Sequence, residues 1–548
     1  MACKNAQRTT VGLFFLVMLL IGASLFRDYG ISWDEPTQRI TGAVTVKYVA
    51  SILTGGLADG SLEHIPDLKE YRDRDYGVAF EAPAFALEKL LALKDSREIF
   101  MFRHLLNFLV FLGGVYAAYR LACRRFRDWR IGLLAASFLV LTPRFFAESF
   151  YNSKDIVFMA AFAIAMNAMI EFSIRPDIKT ALLYAFATAF AIDVRIMAVI
   201  FPVASVAVCL VKASGKESPG PGGVGLTGSY LVATAVLVVA MWPWLWGNPP
   251  GRFLQALANM SRFRWHGEVL YMGEFVRSAE LPWHYPLVWI SITTPLLYLG
   301  LFLIGLVSTA RQMIGRRFRL WSNDEEFQDV VFLGLFLIPV AAVILLRSVL
   351  YDGWRQLYFV YPALLLVAIK GWVVAWNPGG AAMFTRIALG AVTFISVSGS
   401  AVWMWRAHPV ENVYFNALAG HGLRNRYELD YWGVGNRKAL EYILAHDRSP
   451  RIHVWADSWT PVEYSFLMLN PDDRNRLKKS MDKAYPSYVL TNYRLARKSG
   501  DSKYGRGYEL FYQLKVDEEV VLSVYKWTMS AGVAVPVRRH RFGRRRPP

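Results

Sequence analysis

Eleven apolar stretches, each about the length of a membrane span, dominate this sequence of 548 residues. A membrane-spanning helix needs about 20 mostly apolar residues. The candidate stretches lie near residues 10–26, 103–122, 131–147, 156–172, 181–194, 196–212, 228–246, 287–309, 330–348, 357–376 and 385–405. They predict a polytopic α-helical membrane protein with about 11 transmembrane helices.

The composition agrees with a membrane location. Hydrophobic residues make up 54% of the chain and charged residues 19%, whereas soluble proteins carry about 25% charged residues. Only three cysteines are present, which excludes a disulfide-built secreted scaffold. The net charge of +18 would suit either nucleic acid or a membrane surface. Because the chain is so apolar, we expect membrane lipids and no nucleic acid as partners.

The basic residues indicate an orientation, because loops rich in lysine and arginine stay cytoplasmic. Residues 120–130 carry five arginines and residues 311–319 carry four. With eleven spans, both loops lie on the same side as the N-terminus, which we expect to be cytoplasmic. The first outer loop, 27–100, lies on the opposite side and has 13 acidic against nine basic residues.

A soluble outer domain is expected after the last span. Its predicted helices are at 436–447 and 470–484, and its predicted strands are at 451–457, 486–494, 509–516 and 520–527. We therefore expect a membrane module over 1–406, a C-terminal soluble α/β domain over 407–530, and a basic, disordered tail over 531–548.

Ionisable residues gather at the outer ends of the spans, where a polar group is costly and usually functional. Asp34 and Glu35 follow the first span, and a carboxylate there suits a general base for a hydroxyl group. Alternatively, both simply cap the helix that begins at Pro36. Lys154 and Asp155 precede the fourth span. Lys154 suits a phosphate, but Asp155 also fits simple compensation of the helix dipole.

Two further clusters lie at the same face. Asp193 and Arg195 separate two apolar stretches, either as ligands or as an internal ion pair. Arg355, close to Tyr351, enters the tenth span among aromatic residues. A guanidinium there fits a lipid-linked phosphate, and interfacial snorkelling is the alternative.

The outer loop 247–286 is rich in aromatic and polar side chains, including Trp265 and His266. Aromatic faces beside carboxylates commonly bind sugars, although a membrane-interface belt has a similar composition. The sequence has no nucleotide-binding P-loop, no His-Glu-x-x-His and no Gly-x-Ser-x-Gly. A nucleotide-driven pump, a zinc hydrolase and a serine hydrolase therefore lack their signatures.

The order of these motifs resembles the GT-C superfamily of integral-membrane glycosyltransferases. More specifically, it resembles the bacterial branch related to protein O-mannosyltransferases and the lipid A aminoarabinose transferase. The motifs are Trp33-Asp-Glu-Pro36, Pro143-Arg-Phe-Phe followed by Asn152-Ser-Lys-Asp155, Tyr351-Asp-Gly-Trp-Arg355 and Tyr427-Glu-Leu-Asp-Tyr-Trp-Gly433. Relatives often carry histidine where this chain has Gln356.

The resemblance implies a GT-C catalytic module and an inverting transfer of a monosaccharide, hexosyl or pentosyl. The donor would be a polyprenyl-phosphate-linked sugar and the acceptor a hydroxyl group of an envelope lipid, glycan or protein. The family's catalytic aspartate falls on Asp34 and its second acidic position on Asp155. Glu35, Lys154, Arg195, Arg355, Tyr351, Trp265 and His266 are the candidate substrate-binding residues. The implied location is the bacterial inner membrane, with the C-terminal domain periplasmic or extracellular.

No cofactor is expected, although Asp34, Glu35 and Asp155 leave a divalent cation open. A secondary transporter and a polymerase or ligase using a diphosphate-linked glycan remain alternatives. Transporters typically show internal repeats and charges at the middle of the bilayer. This chain shows no repeat, and its charges lie at the ends of the spans. The sugar, the acceptor class and the role of the C-terminal domain stay undetermined by the sequence.

Overall fold

The fold is known from a computed structural model that describes residues 2–55, 62–214, 221–261, 265–315, 320–377, 383–480, 486–495 and 507–528. The predicted basic tail at 531–548 lies outside these residues. The helices of the membrane part are α1 Ala2–Leu25, α2 Glu35–Leu53, α3 Glu81–Leu90, α4 Ser96–Phe126, α5 Trp129–Val140, α6 Pro143–Tyr151, α7 Asp155–Ile174, α8 Ile178–Val194, α9 Ile200–Ser214, α10 Pro221–Met241, α11 Pro249–Ser261, α12 Tyr285–Thr293, α13 Leu296–Gly315, α14 Asp324–Leu345, α15 Tyr361–Trp376 and α16 Met383–Ala407.

The predicted multi-pass architecture is confirmed. Nine helical segments within the described residues are long and apolar enough to cross a membrane, and a bent helix pair makes ten. The segments are α1, α4, α7, α9 with the 3-10 turn Ile196–Val199, α10, α13, α14, α15 with the 3-10 turn Arg355–Val360, and α16. The eleventh predicted stretch is α8, whose 17 residues are shorter than the usual span.

Two predicted stretches are interrupted rather than continuous. Helices α5 and α6 meet at an angle of 70°. Pro143 begins α6, and a proline there has no backbone N–H with which to continue α5. In the same way Pro295 separates α12 from α13. Each break leaves a short helix at one end of a span, and α6 carries buried polar residues toward the cluster described below.

Two glycines allow α13 and α15 to approach each other closely. A Cβ atom on Gly371 would lie 1.9 Å from the backbone oxygen of Leu301, and one on Gly305 would lie 2.0 Å from that of Val367. Small residues at such contacts are typical of membrane helix packing. The contact holds α15, and so the turn that carries Arg355, against the helix bundle.

A buried ion cluster joins the helices at the end of the bundle opposite Arg355. The guanidinium of Arg125 donates to both carboxylate oxygens of Asp329, at 2.6 and 2.7 Å. Lys370 Nζ lies 2.7 Å from the same carboxylate. These residues belong to α4, α14 and α15, so one carboxylate joins three helices.

The C-terminal part is a small α/β domain, as predicted. Its helices are α17 Asn436–His446, α18 Val462–Phe466 and α19 Pro471–Arg476. The chain's strands are a hairpin of β1 Glu268–Tyr271 and β2 Glu274–Arg277, and a sheet of β3 Ile452–Ala456, β4 Leu477–Lys479, β5 Tyr488–Thr491, β6 Tyr508–Val516 and β7 Glu519–Trp527. The sheet order is β4-β3-β5-β7-β6, parallel across the first three strands and antiparallel across the rest.

The predicted helix at 470–484 is wrong beyond Arg476, where α19 ends and β4 begins. Leu477 pairs with Ile452 of β3, and both side chains are buried. Burial of Leu477 at the edge of the sheet therefore decides the structure of this segment, and residues 481–485 lie outside the described part. The segment before α17 packs elsewhere, because Tyr427, Tyr431 and Trp432 belong to the core formed by the membrane helices.

Candidate functional site

Three of the four predicted clusters meet at Arg355. Its Nη1 donates to Asp34 Oδ2 at 3.0 Å and to Asp155 Oδ2 at 3.1 Å. Its Nη2 lies 3.4 Å from Asp352 Oδ2. The Arg355 side chain is 3% exposed, so it is an internal ion-pairing group and does not snorkel to the interface. Asp155 begins the spanning helix α7 and Arg355 precedes the spanning helix α15, whereas Asp34 precedes α2, which is not among the spanning segments.

The backbone around Asp34 turns its carboxylate toward this arginine. Asp34 occupies the N-cap position of α2, but its side chain makes no capping hydrogen bond. Capping therefore does not account for Asp34. The backbone N–H of Trp33 donates to the carbonyl of Trp432 at 3.3 Å, which holds the loop against the segment before α17. The Asp34 side chain remains 25% exposed.

Glu35 points away from the cluster. Its carboxylate accepts a hydrogen bond from the backbone N–H of Ser32 at 2.7 Å and lies 3.0 Å from His104 Nε2. Glu35 is 1% exposed. These internal partners hold the turn before Asp34 and turn Glu35 away from the cluster, so a part for Glu35 in substrate binding stays a prediction. They also leave Asp34, Glu35 and Asp155 without a common point at which they would share a cation.

Asp155 begins α7 and is held on several sides. Its backbone N–H donates to Asn152 Oδ1 at 2.8 Å, and the Asn152 amide donates back to its Oδ2 at 3.2 Å. Arg195 donates to its other oxygen. Asp155 is 1% exposed. It therefore does more than compensate a helix dipole, because it orients two arginines.

Arg195 follows α8, where the helix ends. The internal ion pair between Asp193 and Arg195, one of the two alternatives that the sequence leaves open, does not form. Asp193 accepts a hydrogen bond from the backbone N–H of Val78 at 2.9 Å, while Arg195 pairs with Asp155. The Arg195 side chain is 16% exposed, so it is more accessible than Arg355.

Lys154 lies beside these arginines and is partly buried. Its Nζ lies 3.2 Å from the centre of the Tyr76 ring, a cation–π contact. Burial and the charge of Arg195 lower the pKa of Lys154 to about 7. Among the described residues no carboxylate lies within ion-pairing distance of its Nζ, so this ammonium remains available to an anion.

Aromatic rings surround the arginine and lead into a cavity. The Arg355 guanidinium lies 4.8 Å from the centre of the Tyr351 ring and 4.7 Å from that of Trp432. Trp265 stacks on Tyr351, with the ring centres 4.6 Å apart. A cavity of about 180 Å³ opens here, lined by Arg72, Asp73, Asp75, Tyr76, Asn259, Met260 and Trp265. His266 is exposed beside it.

Sequence reasoning missed several residues around the cluster. Asp352 and Trp432 stand inside motifs that were recognised, so their positions were marked although no role was assigned to them. Glu148 accepts hydrogen bonds from the Tyr358 and Tyr431 hydroxyls and from Asn152. Glu148 is therefore the centre of a buried hydrogen-bond network behind Asp155. Two of its donors lie more than 200 residues away in the chain, so no local sequence pattern reveals this network.

Comparisons with known proteins give a likeness of overall fold only. No protein-family model and no curated protein sequence matches the chain. Among solved structures, it is similar to crystal structures of ArnT from Cupriavidus metallidurans, one bound to undecaprenyl phosphate and one in the apo state. Both are 12% identical with a TM-score of 0.46, and the matches cover 94% and 96% of this chain and 98% of each ArnT chain.

ArnT is the lipid A aminoarabinose transferase, the branch that the sequence motifs resemble. At 12% identity and a TM-score of 0.46, the likeness assigns this chain neither a substrate nor a reaction.

Proposed function

We propose that this protein is an inverting glycosyltransferase that moves a monosaccharide from a polyprenyl-phosphate donor to a hydroxyl acceptor at the outer face of the membrane. The observation that carries the proposal is the convergence of a partly exposed carboxylate, Asp34, with two accessible cations, Lys154 and Arg195, at the ends of helices of the membrane part. A lipid-linked phosphate reaches such a place because its isoprenoid chain stays in the bilayer.

Asp34 is the general base of the proposed reaction. Its side chain is 25% exposed, whereas the Asp155 side chain is 1% exposed and bonded to two arginines. A base must reach the proton that it removes, so only Asp34 is placed for this step. We assign Asp155 to positioning Arg195 and Arg355.

The cations stabilise the leaving group. Arg355 is surrounded by three carboxylates, and little of its charge is left for a phosphate. Lys154 has no carboxylate partner among the described residues and Arg195 has one. We therefore assign phosphate binding to Lys154 and Arg195, and assign to Arg355 the orientation of Asp34. Preorganised cations in a site of low polarity stabilise developing negative charge strongly.

The step is a single displacement. Asp34 takes the proton of the acceptor hydroxyl, and the freed oxygen forms a bond to the anomeric carbon of the sugar. The bond between that carbon and the phosphate oxygen breaks, and its electron pair leaves with the polyprenyl phosphate. One displacement inverts the anomeric configuration and requires no nucleophilic carboxylate.

The cavity beside the cluster supports a monosaccharide as the transferred group. Its volume of about 180 Å³ is of the order of one sugar ring, and its wall combines two aromatic rings with carboxylates. Trp265 connects this wall to Tyr351 at the cluster. The identity of the sugar and the class of acceptor are left to experiment.

The test uses the full chain in lipid nanodiscs with a panel of undecaprenyl-phosphate-linked hexoses and pentoses and an envelope extract as acceptor. Release of undecaprenyl phosphate is followed by mass spectrometry. We expect release with at least one donor, and a fall of about 100- to 10,000-fold in Asp34→Asn because general-base catalysis has this magnitude. Glu70→Gln changes an exposed carboxylate of the same outer loop and should leave the rate unchanged.

Binding of undecaprenyl phosphate should persist in Asp34→Asn, since Lys154 and Arg195 are intact. Normal transfer by Asp34→Asn would overturn the assignment of the base. Release only from diphosphate-linked glycans would favour a polymerase or ligase. Passage of an intact lipid-linked sugar across the membrane, without bond cleavage, would favour a transporter.

A further inference from the structure

The C-terminal domain reaches the site through one buried side chain. Arg494 lies three residues beyond the end of β5, and its side chain is 1% exposed. Its Nη2 donates to Asp352 Oδ1 at 2.6 Å, and its Nη1 donates to the carbonyl of Tyr431 at 2.9 Å. The other oxygen of Asp352 faces Arg355. A chain of contacts therefore runs from the domain to the arginine that holds Asp34.

A second contact reaches the same place independently. The Arg494 guanidinium lies 4.7 Å from the centre of the Trp33 ring, and Trp33 precedes Asp34 in the chain. Arg494 thus touches the neighbour of the proposed base on one side and the partner of Arg355 on the other.

We propose that Arg494 is a positioning residue for the reaction, so that the C-terminal domain completes the catalytic site rather than merely covering it. The inference rests on the proposed function of Asp34. Arg494 neutralises Asp352, which leaves Arg355 free to pair with Asp34 and Asp155.

The distribution of charge supports this role. Three carboxylates, Asp34, Asp155 and Asp352, lie around Arg355. Asp155 also pairs with Arg195, and Asp352 also pairs with Arg494. Without Arg494, Asp352 would be a buried carboxylate with Arg355 as its nearest cation. Because an uncompensated buried charge is costly, Arg355 would turn toward Asp352 and away from Asp34.

No other charged carboxylate nearby competes with Asp352 for Arg494 among the described residues. The other buried acid nearby is Glu428, and burial raises its pKa to about 8, so it is largely neutral at pH 7. Asp352 itself has a φ of 54° and Gly353 a φ of 70°. This left-handed turn directs Asp352 between the two arginines, and asparagine tolerates the same backbone conformation.

The test compares three variants of the full chain in nanodiscs. Arg494→Gln should lower the turnover rate at saturating donor about tenfold, the size expected when contacting charged groups are uncoupled, with little change in KM. The double variant Asp352→Asn with Arg494→Gln removes both charges and should recover most of the lost rate. Arg474→Gln is the matched control, because Arg474 joins the same domain to Asp95 at 3.1 Å, away from the cluster.

A double variant as slow as Arg494→Gln would overturn the inference, because a domain that merely covers the site gains nothing from removing Asp352. So would an equal loss in Arg474→Gln. If Arg494→Gln fails to fold, Arg494→Lys and the double variant carry the test, since neither leaves a buried carboxylate without a cation.

A structural measurement separates this inference from the proposed function. If the wild-type protein cleaves no donor, the proposed function fails. A cryo-EM structure of Arg494→Gln then still decides the role of Arg494. We expect the guanidinium of Arg355 to have left hydrogen-bonding distance of Asp34, and an unchanged contact between them would overturn the inference.

Discussion

Asp34 and Asp155 share one hydrogen-bond donor, Arg355 Nη1, but they differ in their other partners and in their exposure. Asp155 has both oxygens engaged and is closed to solvent, whereas Asp34 keeps a quarter of its side chain exposed. In the proposed mechanism, two carboxylates that are alike in the sequence are therefore a reacting group and a supporting one. Lys154, beside them, is the group whose charge state is easiest to change.

Binding of undecaprenyl phosphate should depend on pH through Lys154. With a pKa of about 7 in the free protein, its ammonium is charged below pH 7 and largely neutral above pH 8. A phosphate monoester gains its second negative charge near pH 6, so the lipid is already mostly a dianion above pH 7. Affinity should therefore fall roughly tenfold between pH 7 and 9, as the ammonium loses its charge. Titration of the lipid into nanodiscs at each pH measures this. Lys154→Arg keeps its charge throughout and should bind almost independently of pH over the same range, and a wild-type affinity just as flat would contradict the prediction.

Asp329 should contribute to stability at the end of the bundle far from the site. Asp329→Asn leaves the charges of Arg125 and Lys370 buried without their carboxylate. Breaking a buried ion pair in this way costs about 3–5 kcal/mol, so the midpoint of thermal unfolding in detergent should fall clearly. Glu325→Gln breaks a pair with the exposed Arg127 and should change the midpoint little. Equal midpoints in the two variants would show that the cluster is not a source of stability.

Helix ends and helix contacts, rather than whole helices, position the site. The proposed base stands at the start of α2, Asp155 at the start of α7, Arg195 at the end of α8, and Arg355 just before α15. The glycine contact between α13 and α15 fixes the last of these. A change at that contact acts on the site without touching any of its polar groups.

Gly371→Ala should destabilise the bundle. The new Cβ would meet the backbone oxygen of Leu301 at 1.9 Å, and a backbone atom cannot turn aside as a side chain does. Overpacking of this kind costs about 1–3 kcal/mol, visible as a lower unfolding midpoint. Gly300→Ala, on α13, meets nothing within 4 Å and should have no such effect. The packing argument fails if the two substitutions behave alike.

Most of the elements were predictable from the sequence, because hydrophobic length is a local property of the chain. Ten of the eleven apolar stretches correspond to spanning segments or to a bent pair, and the eleventh to the shorter α8. The break between α5 and α6 and the strand at Leu477 were missed. The first depends on how Pro143 packs its turn, and the second on a strand partner 25 residues earlier in the chain. Neither is visible in a local window.

In the whole molecule, the site forms only if successive helices cross the membrane in opposite directions. Asp155 and Arg195 are brought to one face only if both α7 and α8 traverse the bundle. Only three residues separate Ile174 from Ile178, so the turn between the two helices lies at the end of the bundle opposite Asp155 and Arg195. The count of eleven crossings, and with it the orientation of the chain, hinges on α8.

Cysteine labelling in intact cells tests that topology. In a variant without native cysteines, Glu70→Cys should react with a membrane-impermeant maleimide, because its position belongs to the loop that is predicted to lie outside. Asp177→Cys, at the start of α8, should react only after the membrane is permeabilised. Labelling of both positions in intact cells would place the turn between α7 and α8 on the same side of the membrane as residue 70. That result would contradict eleven crossings.

The candidate site was predictable only in part, for a reason that belongs to this scale. Asp34, Lys154, Asp155, Arg195 and Arg355 were found because each stands at the end of an apolar stretch. The burial of Glu35 against His104 was not visible in the sequence, because His104 lies on another helix. Arg494 carried no signal at all, since it follows an ordinary strand in a soluble domain, and its significance appears only when the domain is seated on Asp352.

The contact between Arg494 and Asp352 also has a consequence for synthesis. About 460 residues separate Asp34 from Arg494, and a ribosome adding roughly 5–20 residues per second needs about 20 to 90 seconds to cover them. Throughout that time the earlier helices of the nascent chain already lie in the membrane, where the proposed lipid-linked donor would reach them. If Arg494 sets the base, with the roughly tenfold effect on turnover expected for Arg494→Gln, the emerging protein works at a fraction of its full rate until Arg494 is translated, and so does a chain that terminates before that residue.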